Sequence, residues 1–89
     1  MNQQELNQRL AEFAHEHNVP IEKCCPIPKE ELISGIEYEG ECRNASKAIW
    51  DSDAFIYMRT KFGSTYPEII NHYEDDDGYD VFVPIKIIK

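Results

Sequence analysis

Eighty-nine residues, 42% of them hydrophobic and 11% aromatic, describe a single folded domain over residues 1–89 and not a disordered chain. No stretch longer than six residues lacks a charged side chain, so a membrane-spanning helix is excluded. The formal net charge of −8 sets the molecule as a whole against polyanions.

Residues 2–17 read as an amphipathic helix. Leu6, Leu10, Phe13 and Ala14 recur on one helical face. Asn2, with Glu5 three residues later, is an N-cap pattern, and Glu5 and Arg9 stand four apart in the favourable order. Asn18 and Pro20 end the helix. Residues 19–35 are a Pro-rich connection in which Pro20, Pro26 and Pro28 forbid both a continuous helix and a central strand. Pro28 can open a short helical turn over residues 29–33, which Ser34-Gly35 closes.

From residue 36 to residue 88 the period is two, the mark of strands. Ile36, Tyr38, Gly40 and Cys42 are expected inward, with Glu37, Glu39, Glu41 and Arg43 outward. Asn44-Ala45-Ser46 turns the chain into a short strand over residues 47–50, and Asp51-Ser52-Asp53 turns it again. Along residues 54–62, Ala54, Ile56, Met58, Thr60 and Phe62 are expected to face the core. Phe55, Tyr57, Arg59 and Lys61 are then left on the open face.

Gly63-Ser64 is a hairpin signal of the type II′ kind. A strand beginning near Thr65 is preferred over a helix spanning residues 67–73, with Pro67 making it an edge strand. EDDDGYD, residues 74–80, reads as a further turn at Asp77-Gly78. In the last strand Val81, Val83, Ile85 and Ile87 are expected inward against Phe82, Pro84, Lys86 and Ile88. Pro84 requires one unpaired side. The expected fold is α+β, an N-terminal amphipathic helix packed on a four- to five-stranded antiparallel meander sheet.

Chemistry-bearing patterns are few. Cys24, Cys25 and Cys42 are odd in number and two are adjacent, which reads as reduced thiols in a cytoplasmic protein and not as a disulfide frame. The N-terminus has no basic stretch leading into an apolar run, which agrees with that compartment. Zinc ligands come as C-x₂₋₄-C pairs, whereas adjacent cysteines point apart and His15 and His17 lie on nearly opposite sides of a helix, so no metal is expected. Asp75-Asp76-Asp77-Gly78 lacks the alternate spacing of a calcium loop. A Cys42–His72 nucleophile pair is opposed by the inward setting of Cys42. There is no G-x-S-x-G, no glycine-rich phosphate loop and no H-E-x-x-H, so neither an enzyme nor a cofactor is expected.

Two binding surfaces remain. Phe55, Tyr57, Arg59 and Lys61 combine rings and cations as single-strand nucleic-acid binders do. They lie in a basic middle segment, where Arg43, Lys47, Arg59 and Lys61 outnumber Asp51 and Asp53 between acidic ends. Glu37, Glu39 and Glu41 form a row of carboxylates roughly 6.7 Å apart, two strand rises, which suits a basic partner. The expected function is non-catalytic: a protein-interaction module or modulator of another macromolecule, acting on a protein partner as a monomer or weak homodimer, away from membranes. The alternative is a single-stranded nucleic-acid binder using the Phe55/Tyr57/Arg59/Lys61 face.

Overall fold

The computed structural model describes residues 2–43, 45–75 and 81–88. Asn44 of the expected first turn and Asp76, Asp77, Gly78, Tyr79 and Asp80 of the acidic one lie outside the described residues.

Helix α1 runs Gln3–His17. The Asn2 side chain accepts the Glu5 amide at 2.8 Å, which satisfies one of the free donors of the first turn. Asn18, at φ 53°, closes the other end, and the Val19 amide reaches back to the Ala14 carbonyl at 3.0 Å. Leu6, Leu10, Phe13 and Ala14 are the buried residues, as their spacing requires.

Five strands follow: β1 Glu37–Glu41, β2 Lys47–Asp51, β3 Ala54–Lys61, β4 Ser64–His72 and β5 Val81–Ile87. They close into a barrel in chain order, with β1 pairing back onto β5. The strand over residues 64–72 is thus formed. The expected all-antiparallel meander is corrected at one junction: β4 and β5 run parallel, so the segment between them is not a hairpin. It starts with a 3₁₀ turn, Tyr73–Asp75.

Tyr38, Ala48, Trp50, Phe55, Tyr57, Ile70 and Phe82 fill the barrel. The rings touch edge to face or tilted, with Trp50–Phe55 centroids 4.9 Å apart and Phe55–Phe82 4.6 Å apart. A second cluster lies outside the barrel wall, where Val83 of β5 packs under Leu6, Leu10, Phe13 and Ala14 of α1. Strand β5 is therefore buried on both faces from Val81 to Pro84, and Ile87 is exposed. This corrects the expected split of that strand, because α1 covers one of its sides and the barrel interior the other.

The Pro-rich connection is tied to the barrel. Ile27 donates its amide to the Pro84 carbonyl at 2.8 Å, on the side of β5 left unpaired by β4. Gly35 donates to the Trp50 carbonyl and Trp50 to the Ile36 carbonyl. Within the connection, 3₁₀ turns form at Ile21–Lys23 and Lys29–Glu31. Gly40 sits where the β1–β5 register shifts, and a Cβ there would collide with the Val83 carbonyl oxygen.

Candidate interaction face on the barrel exterior

Strand β2 shows which way the sheet faces. Ala48 and Trp50 are buried, so Lys47, Ile49 and Asp51 point outward. A two-residue turn, Ser52-Asp53, sets Ile49 opposite Ile56 of β3, and the next ladder sets Ile56 opposite Ile69 of β4. Paired residues share a face, so Ile49, Ile56 and Ile69 form one row on the outside. Met58, paired with Pro67, extends it. Ile69 is 68% exposed, Met58 62% and Ile49 43%.

This reverses the expected facing of β3. Phe55 is fully buried and Tyr57 nearly so, while Met58 and Phe62 are exposed. Both faces of the strand are apolar. The larger rings take the barrel interior, where they bury the greater area. The turn at the end of β3 is also shifted by one residue from the expected Gly63-Ser64. Lys61 pairs with Ser64, and the central residues are Phe62 and Gly63 at φ 53° and 80°, both positive as a type I′ turn requires. Phe62 is 95% exposed at the tip, with the Lys61 ammonium 5.4 Å from its ring centre.

The proposed nucleic-acid residues are not presented together. Phe55 offers no ring face to a base. Tyr57 Oη donates to Glu68 at 3.3 Å, and burial, then Glu68, pushes its pKa up. Arg59 Nη1 contacts both Glu68 carboxylate oxygens, at 3.1 and 3.3 Å, and this hydrogen bonding raises its pKa further. Lys61 alone of the four is openly exposed.

The carboxylate row keeps its common face but is largely paired. Glu39 lies 3.6 Å from the Lys86 ammonium and 3.8 Å from His17 Nδ1. Glu41 sits against Arg9 of α1 in an ion pair. Burial raises the Glu41 pKa, and Arg9 opposes the shift. Glu37 borders the Ile49 row, as its pairing with Ile49 requires.

The other candidates are dispersed. Cys24 Sγ contacts the Pro20 carbonyl and Cys25 Sγ the Glu22 carbonyl, each at 3.7 Å, so the adjacent thiols turn apart. None of the three cysteines is in a disulfide, and burial pushes the Cys24 pKa up. Among the described residues no three His, Cys, Asp or Glu side chains are gathered to hold a metal. His72 is fully buried, with Nε2 3.0 Å from the Ile27 carbonyl and Nδ1 accepting the Glu74 amide at 3.1 Å. Such a ring ties β4 to the Pro-rich connection and has no open side for a substrate; burial lowers its pKa. No described helix is long and apolar enough to cross a membrane.

Comparison with protein-family models, with curated proteins and with solved structures finds no match.

Proposed function

We propose that the protein acts non-catalytically, as a protein-interaction module, through the outer face of β2, β3 and β4. The observation that carries this is the Ile49–Ile56–Ile69 row, continued by Met58 and Pro67, on the outside of the barrel across three strands, with Ile49, Met58 and Ile69 exposed and Ile56 half-buried. Contiguous exposed apolar surface on a small domain marks an interaction site. The flanking Glu37, Lys47 and Asp51 give it a charged rim, as protein interfaces have. Three cysteines outside any disulfide support a reducing compartment such as the cytoplasm. The nucleic-acid alternative keeps only Lys61 as an open contact, against a net charge of −8.

A photo-crosslinking side chain placed at position 69, and separately at the exposed helix position His15, tests the reading in cells. Protein adducts specific to position 69 are expected. Adducts of equal yield at both positions, or nucleic-acid adducts at position 69, would contradict it.

A further inference from the structure

Building on the protein-binding reading above, we infer that the partner is held by strand addition: an extended segment of another protein pairs with the open edge of β3 at Met58 and Thr60.

The β2–β3 ladder stops early. It joins Asp51 to Ala54, Trp50 to Phe55 and Ile49 to Ile56, and goes no further. Beyond that point β2 stays with β1 as far as Lys47, and β3 stays with β4 as far as Lys61. The two strands part, and a cleft of 420 Å³ opens between them, bordered by Ala45–Ile49 on one side and Ile56–Met58 on the other.

Backbone alternation determines what β3 presents to this cleft. The two-residue turn makes Lys61–Ser64 a hydrogen-bonded pair. Pairs then alternate, so Arg59 and Tyr57 direct their amides and carbonyls toward β4. Ile56, Met58 and Thr60 direct theirs the other way. Those of Ile56 meet Ile49. Those of Met58 and Thr60 have no β2 residue opposite them.

Among the described residues the outer edge of β4 is open in the same sense, since β4 pairs with β5 at Asn71 and His72. There, however, the outward position opposite Met58 is Pro67, which has no amide to give. Pro67 weakens one edge of this hairpin for pairing, and among the described residues the other stays available at Met58 and Thr60.

The side chains define the occupant. A strand added to β3 continues both faces of the sheet. Residues beside Ile56 and Met58 meet the apolar exterior, and the residue beside Lys61 meets its open ammonium, Arg59 being already held by Glu68. The segment that fits alternates apolar and polar side chains, with an acidic one beside Lys61. A second copy of this chain is opposed by charge. Two-fold pairing centred on Arg59 sets that guanidinium against its own copy. Centring on Thr60 instead sets Lys61 against Arg59. Every arrangement, one centred on Met58 included, brings together two bodies of charge −8.

The test uses the full chain and a short peptide alternating valine and glutamate, with a peptide of the same composition in two blocks as control. In the free protein the Met58 and Thr60 amides are expected to exchange with solvent faster than those of Tyr57 and Arg59. The alternating peptide should protect both, and should bind at least about tenfold tighter than the block control or than the same peptide N-methylated on alternate amides. Met58→Pro should abolish binding and Met58→Ala should largely keep it. The N-methylated peptide decides the question if Met58→Pro fails to fold. Slow exchange at Met58 and Thr60 in the free protein, no binding, or indifference to N-methylation would overturn strand addition. Adducts at position 69 in cells alongside any of those results would leave the apolar-face reading standing and remove this one.

Discussion

Ile56 of β3 faces Ile69 of β4 across the ladder, and both side chains stand on the outside of the barrel. Their neighbours in sequence, Phe55 and Ile70, pair inside it. Two adjacent isoleucines of β4 therefore report on the two faces. Ile70→Ala should cost about 2–4 kcal/mol, as a buried side chain lost from a packed core does. Ile69→Ala should change stability by no more than about 0.5 kcal/mol. Urea unfolding of both variants checks this, and a larger cost at Ile69 would mean that the sheet faces the other way.

The hairpin tip carries its own test. Phe62 holds a left-handed backbone that a bulky residue adopts at a cost, and its ring is in solvent. Phe62→Asn creates the Asn-Gly pair that type I′ turns favour. It should stabilise the fold by about 0.5–1 kcal/mol, the left-handed penalty less a weak exposed Lys61 contact. A lower urea midpoint for the variant would show that the ring supports the fold.

How much of this was legible in the sequence differs by element. Helix α1 was readable because only one of its faces is apolar. The β1 strand was readable because glutamates occupy every outward position from Glu37 to Glu41. Alternation along β3 gives two faces but not their sign, and here both carry apolar residues. The sign was available one strand earlier. In β2 the charged Lys47 and Asp51 share a face with Ile49, and a two-residue turn carries that face onto Ile56. Strand β5 misled for a different reason. Its double burial depends on α1 crossing the barrel wall, a long-range contact that no local pattern encodes. The apolar exterior could not be recognised as a site before the facing was known, since Ile56 and Met58 read as core.

Gly40 tests the close approach of β1 and β5. Gly40→Ala forces a methyl group against the Val83 backbone at the register shift. A cost of about 1–3 kcal/mol is expected, as for other overpacked sites. Thermal unfolding with no loss of midpoint would mean that the two strands do not approach as closely as described.

His72 links stability to pH. Burial lowers its folded pKa below its ordinary 6.5, so the unfolded chain takes up the proton first. Its contribution is complete above pH 6.5 and declines as the pH falls below that value. Glu41, with a pKa raised from 4.5, acts in the opposite sense nearer that value, because its protonation favours the folded state. Stability measured by denaturant titration should therefore fall from pH 7 as acid is added, before the carboxylates titrate. His72→Gln should flatten that decline. An increase in stability over the same interval would contradict the buried neutral ring.

The exterior isoleucine row as the working surface is tested most directly by affinity capture with wild type and Ile69→Asp, each with and without nuclease. The two proteins should give the same circular dichroism, since Ile69 is 68% exposed. Wild type should retain a protein that survives nuclease treatment, and Ile69→Asp should lose it. Equal retention by the two proteins, or retention that disappears with nuclease, would contradict the account.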